Sequence, residues 1–337
     1  MKFTYNWLRD FLDTPLSAQE VAEQLMLLGF EVEDFSSTLP NLDGILVAKV
    51  VACEPIANSD HLKRCQVDIG KERLEVVCGA PNVASAQWVA FAPVGTTLPG
   101  GLHISARKVH GVVSHGMICS EHELGLSDEA DRILVLDQQE TAGTLLRDVL
   151  ENDWVIDISV TANRPDALGI IGIAREVGLR TNTPLKLPKI RLSESKQALN
   201  KLVKIRIDDA VGCPRYAARL LQNVAVKPSP SWMIKRLNAV GIRAISNLVD
   251  VTNYVMMETG QPLHAFDFDT LDQGTIVVRR AQDGERFVTL DERKHNLQAH
   301  DLLICDAAGP VALAGVMGGL NSEVKDATRN VLIECAH

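Results

Sequence analysis

Residues 243–267 carry Asn247, Asp250, Thr252, Asn253, Glu258, Gln261, His264 and Asp267 among side chains that favour burial. A polar group buried without a partner costs roughly 1–3 kcal/mol. A segment with so many of them is building either a hydrogen-bonded network or a site. Tyr254, Met257 and Glu258 fall at helical spacing, and Gly260-Gln-Pro262 breaks that spacing, so His264 follows directly on a turn. Three other features stand in order around this run. Arg243 precedes it, Ala314-Gly315-Val-Met-Gly318-Gly319 is a glycine-rich loop, and Glu334 lies in Leu-Ile-Glu-Cys near the end. An imidazole, a carboxamide and a carboxylate beside bare backbone are the materials of proton transfer and of water positioning. No Ser or Cys stands in a nucleophile–His–acid arrangement, which favours attack by a positioned water over a covalent intermediate. Singly, each residue has a plainer reading. His264 could be a satisfied core histidine, Gly318-Gly319 a hairpin turn, and Glu334 the ion-pair partner of Arg243. The glycine loop also lacks the further glycines and the lysine of a phosphate loop.

These residues need elements to hold them. Residues 3–33 read as helical: Trp7, Leu8 and Phe11 form an apolar stripe suited to core packing, and Ser17 with Glu20 three positions on is a capping-box pattern. From 44 to 136 the pattern changes to short β segments at 45–51, 65–69, 74–77, 88–91 and 133–136, separated by Asn, Asp, Gly and Pro turns. That spacing suggests a small Greek-key barrel such as an OB-fold. A strand at 156–160 and a helix at 165–179 follow, with Asn163-Arg-Pro-Asp166 as a turn whose aspartate caps the helix. Residues 183–202 are the best linker. Strands are expected at 203–207, 215–221, 275–280, 302–305 and 331–334, and a helix at 231–239. The end at His337, directly after a strand, is what part of a longer protein would show.

Composition sets outer bounds. The 337 residues are 46% hydrophobic, 23% charged and only 4% aromatic, enough for two or three domains with cores of Val, Leu, Ile and Ala. A net charge of −9 argues against nucleic acid held by overall charge alone, though not against a local basic groove. The seven cysteines include no CxxC pair and no zinc-finger spacing, which reads as reduced thiols in a cytoplasmic protein. The N-terminus has no signal-peptide core, and no run approaches the ~18 apolar residues of a membrane span.

Three motifs within the barrel region carry a resemblance. Val77-Cys-Gly-Ala-Pro-Asn82, Gly95-Thr-Thr-Leu-Pro99 and Val113-Ser-His-Gly-Met-Ile-Cys-Ser-Glu-His-Glu-Leu-Gly125 resemble the tRNA-binding OB domain found in bacterial phenylalanyl-tRNA synthetase β subunits, methionyl-tRNA synthetases and free-standing tRNA-binding proteins. The resemblance implies tRNA contacts at Asn82, Ser114, Ser120 and Lys63. It also has departures. Ile56-Ala-Asn58-Ser-Asp60-His61-Leu62 stands where the family usually reads His-Pro-x-Ala-Asp-Lys-Leu, and residues 40–150 hold nine Lys+Arg against fourteen Asp+Glu. OB-folds that bind nucleic acid normally present a positive groove. Residues 158–169 resemble the B1 segment of the β subunit, and residues 243–267, the glycine loop and Glu334 resemble its B3/B4 editing domain.

The resemblance implies an α+β multidomain chain. A B1-like α/β domain at 1–39 and 152–190 would be interrupted by an OB-fold β-barrel at 40–151, with a mixed α+β editing domain at 200–337. The implied activity is tRNA binding with hydrolysis of mischarged Tyr-tRNA(Phe), within a phenylalanine–tRNA ligase whose aminoacylation site lies in the α subunit. The physical need is plain: apolar pockets reject an added hydroxyl by only ~100-fold. On this reading Glu334 accepts the phenolic hydroxyl, Gly315, Gly318 and Gly319 leave space for the ring, and His264, Asn253 and Arg243 serve the water and the terminal ribose. The alternative is a non-catalytic tRNA-binding or scaffolding module. No metal or cofactor is expected in this segment, whereas ATP and Mg are implied for the full synthetase. The implied partners are tRNA(Phe) and the α subunit of an α2β2 assembly, with no membrane and no DNA.

Overall fold

Two hydroxyls start the first two helices. Thr4, at the end of β1 (Lys2–Thr4), accepts from the Trp7 N–H and opens α1 (Tyr5–Arg9), and Ser17 and Glu20 cap one another reciprocally at the head of α2 (Ala18–Leu27). The computed structural model describes residues 1–57, 59–127, 130–136 and 139–337. Residues 3–33 form two helices, the second starting after Ser17 as expected, but both ends of the stretch are strand. β1 precedes the helices, and β2 (Glu31–Ser37) follows Gly29, which turns the chain at φ 91. The described residues pack as two units, Met1–Phe35 with Val155–His337, and Ser36–Trp154.

The inserted unit is a nearly closed antiparallel barrel. β3 (Leu46–Pro55), β4 (Lys63–Asp68), β5 (Arg73–Cys78) and β6 (Trp88–Ala92) are followed by the hairpin β7 (Arg107–Val109) and β8 (Val112–Ser114), then by β9 (Met117–Ile118) and β10 (Val135–Leu136). The sheet order is β10-β6-β3-β4-β5, with β9 also on β6. A bulge between Val50 and Ala52 bends the long β3 so that it pairs with both β4 and β6. Strand alternation sends Ala48, Val50, Cys65, Val67, Val76, Val89 and Phe91 into one core. Val47, Ala90 and Ala92 point the other way, under Leu98, Leu124 and Leu146. At the far edge the His115 N–H donates to the Glu75 carbonyl (2.9 Å) and the Val77 N–H to Ser114 Oγ (3.0 Å). The barrel ends with the short α3 (Leu146–Val149).

In the other unit, β11 (Trp154–Ser159) runs between β1 and β2. The expected helix at 165–179 is split: Pro165–Leu168 is a 3-10 turn, Gly169 is extended, and α4 (Ile170–Thr181) starts after it. Beyond the linker come β12 (Lys204–Ile207), β13 (Tyr216–Leu221), α5 (Ser231–Ala239), α6 (Asn247–Thr259) and β14 (His264–Asp267). Then follow β15 (Thr275–Arg280), β16 (Arg286–Val288), β17 (Lys294–Asn296), β18 (Leu302–Cys305), β19 (Pro310–Leu313), β20 (Met317–Gly318) and β21 (Val331–Ala336). Two sheets result, β12-β15-β18-β19-β20 and β13-β21-β14, meeting through Phe266, Leu332, Ile276, Ile304 and Val311.

Helices α5 and α6 do not close on those sheets alone. Met233, Leu237, Tyr254 and Met257 share a core with Phe3, Trp7, Leu25, Ile156, Ile173 and Val177, so most of the domain read at 1–39 with 152–190 lies in one unit with the domain read at 200–337. Trp7 stacks on Tyr254 at 4.4 Å and donates from Nε1 to Glu258 (3.1 Å). Arg236 donates to both Asp10 and Tyr254. Among the described residues no helix is long and apolar enough to cross a membrane.

Gly260 ends α6 with φ 75, and the Gly169 backbone lies directly against it. A Cβ at Gly169 would stand 2.4 Å from the Gly260 nitrogen and 2.6 Å from the Thr259 carbonyl carbon. Gly169→Ala is therefore expected to destabilise the unit by about 1–3 kcal/mol through overpacking. Gly260→Ala should cost ~1 kcal/mol or more through its left-handed backbone. Urea unfolding midpoints of both variants check this, and an unchanged midpoint for Gly169→Ala would refute the close approach.

Candidate functional site

β21 is the middle strand of its sheet, and its register builds the site. Glu334 lies opposite His264 on β14 and opposite Ala218 on β13, while Tyr216 lies opposite Ala336. Side chains alternate along a strand, so Tyr216, Glu334, His264 and Ala336 share one face with Ala218, Phe266 and Leu332. Toward the middle of the sheet this face is core. At its end it walls a cavity of about 380 Å³, whose other sides include Val278, Leu302, Ile304, Ala312 and the loop from Ala314 to Gly318. His264, Glu334, Gly315 and Gly318, far apart in sequence, are brought together here.

The electrostatics of this wall follow from burial. Glu334 is 7% exposed, and burial pushes its carboxyl up to about 7, while a hydrogen bond donated by the Tyr216 hydroxyl pulls it back. Burial and the neighbouring carboxylate together push the Tyr216 phenol far above its usual range, so it stays a donor. Glu334 is thus bonded to Tyr216, and the ion pair with Arg243 does not form. Burial also pushes His264 below its ordinary value, leaving a neutral imidazole with a nitrogen able to accept a proton at neutral pH. Its ring meets Phe266 edge-on at 4.6 Å.

The three glycines do different things. A Cβ at Gly318 would stand 2.5 Å from His264 Cε1 and 2.6 Å from Nε2, so this glycine makes room for the imidazole itself. Gly315 has φ 69 with nothing near its missing side chain; it supplies a turn at the cavity mouth. Gly319 lies outside the cavity lining, and its N–H donates to the Val311 carbonyl at 2.7 Å.

Arg243 and Asn253 do not line the cavity. Arg243 is exposed between α5 and α6, and Asn253 is half-buried on α6. The polar run that contains them divides in two. Its first part is internal scaffolding. The Lys227 N–H donates to Asn247 Oδ1 at 3.1 Å, and fully buried Asp250 accepts from Ser229 Oγ (2.5 Å) and the Ile245 N–H (2.8 Å). The second part reaches the site strands: Gln261 Nε2 donates to the Ala336 carbonyl (2.9 Å), and Asp267 accepts from Thr328 Oγ1 (2.6 Å). Arg164 is likewise structural, paired with Asp166 and Glu176. Sequence reasoning missed Tyr216. Its partner lies 118 residues away, and nothing in the strand Tyr-Ala-Ala-Arg-Leu-Leu points to a buried carboxylate.

In the barrel, the four side chains expected to touch tRNA spend their polar atoms internally. Asn82 brackets Ile133, donating to its carbonyl and accepting from its N–H, both at 3.0 Å. Ser114, 7% exposed, accepts from Val77 and donates to the Gly116 carbonyl (3.1 Å). Ser120 and Glu123 cap one another, and Lys63 Nζ donates to the Val83 carbonyl at 2.8 Å. Arg107 and Lys108 on the β7–β8 hairpin are exposed. Asn58 of the departing motif lies outside the described residues. Among the described residues no group of three or more His, Cys, Asp or Glu side chains could hold a metal.

Comparison with known proteins agrees with this division. The family model of the B3/4 domain matches residues 212–337, and that described as "Putative tRNA binding domain" matches 45–145. The chain is 45% identical over 338 aligned residues to the phenylalanine–tRNA ligase β subunit of Syntrophus aciditrophicus (strain SB), and 49% identical over 337 to that of Oleidesulfovibrio alaskensis. Each alignment covers 100% of this chain and 42% of the relative, so the chain spans under half the length of the curated relatives it matches. Among solved structures, an N-terminal fragment of the phenylalanyl-tRNA synthetase β subunit from Pyrococcus horikoshii aligns at 16% identity and a TM-score of 0.32, over 60% of this chain and 58% of that one.

Glu334 should leave a mark on stability. Its folded value of about 7 lies above the ordinary 4.5, so the protonated form favours folding; that contribution is complete below 4.5 and is lost as pH rises through 7. Glu334→Gln removes the titration. Its stability relative to the parent should therefore rise between about pH 5 and pH 8, by on the order of 2–3 kcal/mol. Urea unfolding at several pH values checks this. A pH-independent difference would mean that the carboxyl is not desolvated.

Proposed function

We propose, from the two matching family models and from 45–49% identity to phenylalanine–tRNA ligase β subunits, that the cavity of this chain hydrolyses tyrosine wrongly esterified to tRNA(Phe). The observation that carries this reading is the buried acceptor Glu334 placed cross-strand from the neutral imidazole His264 on one cavity wall. The substrate's phenolic hydroxyl donates to Glu334. Phenylalanine lacks that hydroxyl and leaves the carboxylate with Tyr216 as its one donor, which is the strong direction of discrimination. His264 takes a proton from the water that attacks the ester carbonyl and returns it to the ribose oxygen as the acyl–oxygen bond breaks, which frees tyrosine and tRNA(Phe) with no covalent intermediate. An apolar lining from Leu302, Ile304 and Ala312 suits the ring.

The larger setting is proposed on the same ground. The chain acts within an α2β2 synthetase in the cytoplasm, with tRNA(Phe) and the α subunit as partners. ATP and Mg serve aminoacylation on the α subunit and take no part at this cavity. Arg243 and Asn253 lie off the cavity wall, so we assign neither of them a role in the hydrolysis.

The test is deacylation of Tyr-tRNA(Phe) and Phe-tRNA(Phe) by the 337-residue chain. Selective loss of tyrosine is expected, and His264→Ala should slow it by about 100-fold or more. Retention of both esters would favour the non-catalytic tRNA-binding module. A further outcome concerns the barrel. Residues 40–150 hold nine Lys+Arg against fourteen Asp+Glu. With Lys63 also engaged internally, tRNA affinity should fall only shallowly with salt, with a log–log slope no steeper than about −3. Filter binding across salt concentrations measures it, and a steep slope would reveal a concentrated basic face.

A further inference from the structure

We infer that Tyr216 is a positioning residue of this cavity: it ties up one oxygen of Glu334 and so leaves the other as a fixed acceptor for a substrate hydroxyl. This deepens the reading of the cavity as a tyrosyl-ester site and rests on it. The Tyr216 hydroxyl donates to Oε2 of Glu334. Among the described residues no protein group donates to Oε1, and no side-chain oxygen or nitrogen is both sealed from solvent and unpaired. With Glu334 on the cavity wall, its free oxygen is open to the cavity. Tyr216 is itself anchored, its ring packing on the core that contains Phe266 and Leu332. The carboxylate therefore has one oxygen held by a phenol and the other turned to the cavity. A second hydroxyl reaching Oε1 would complete the pair that a buried carboxylate needs.

The plainer alternative is that Tyr216 only satisfies a buried acid. The two roles differ in what they predict for a variant without the hydroxyl. Tyr216→Phe keeps the ring and its packing. If Tyr216 positions Glu334, the variant should lose preference for a hydroxylated ligand while keeping affinity for the bare ring. Its preference should also need higher pH, because the bond that favours the ionised carboxylate is gone. Among the described residues the other titratable groups lining the cavity are Cys213 on the loop before β13, His264 on β14 and His337 after β21, with no Lys, Arg or Asp.

The experiment is calorimetric titration of L-tyrosinamide and L-phenylalaninamide into the 337-residue chain and its Tyr216→Phe variant across neutral pH. The parent should prefer the tyrosine amide. The variant should reduce that ratio about ten-fold and shift its pH midpoint upward. Carbon-13 NMR of the Glu334 carboxyl, assigned through its loss in Glu334→Gln, should show the same upward midpoint without any ligand and separate it from His264. An unchanged ratio, or equal loss for both amides, overturns the inference, as does a carboxyl midpoint that does not move. Deacylation is read separately. A chain that prefers tyrosinamide through Tyr216 yet leaves Tyr-tRNA(Phe) intact would uphold the positioning role and remove the hydrolase.

Discussion

A carboxylate held on the middle strand of a three-stranded sheet is the constraint around which this cavity is arranged. Glu334 on β21 is hemmed in by β13 on one side and β14 on the other. Burial alone would make the acid neutral and recognition weak. The phenol of Tyr216 counters this, and the pairing register places His264 across from the same residue. A shift of one residue in either pairing would turn these side chains to the opposite face. The apolar continuation of that face through Phe266 and Leu332 into the core opposes such a slip.

How far this was legible in the sequence depended on the range of the interaction. Local rules worked. The Ser17–Glu20 box, the helix at Ser231–Ala239 and the end of α6 at Gly260 are all set by residues within a turn or two of one another. The stretch after Gly29 failed because Glu31–Ser37 becomes a strand only through β11, more than a hundred residues away. The helix expected at 165–179 was broken at Gly169 by backbone arriving from α6, which nothing local announces.

The site shows the same division. His264, Glu334, Gly315 and Gly318 were marked by type and order, and they line one cavity. Yet Gly318 is small for the sake of His264, where the sequence pointed to the ligand. Asn82, Ser114, Ser120 and Lys63 were marked by resemblance, and in the structure their polar atoms brace strand edges and loops of the barrel. Residue type alone does not separate a donor that faces outward from one that braces a loop. Only the partner does, and here the partners are Ile133, Val77, Glu123 and Val83.

The core shared by Trp7, Met233 and Tyr254 also dictates an order of events at the ribosome. The stretch Ser36–Trp154 is continuous, and its contacts are complete once it has emerged. The first 35 residues have no such privilege. Phe3, Trp7, Leu8 and Leu12 emerge early, but part of their partners lie on β11 and α4 and part on α5 and α6. At roughly 5–20 residues per second, α6 follows them by about 12–50 s. Over that interval a nascent chain would carry a finished barrel behind two amphipathic helices with their apolar sides unmet.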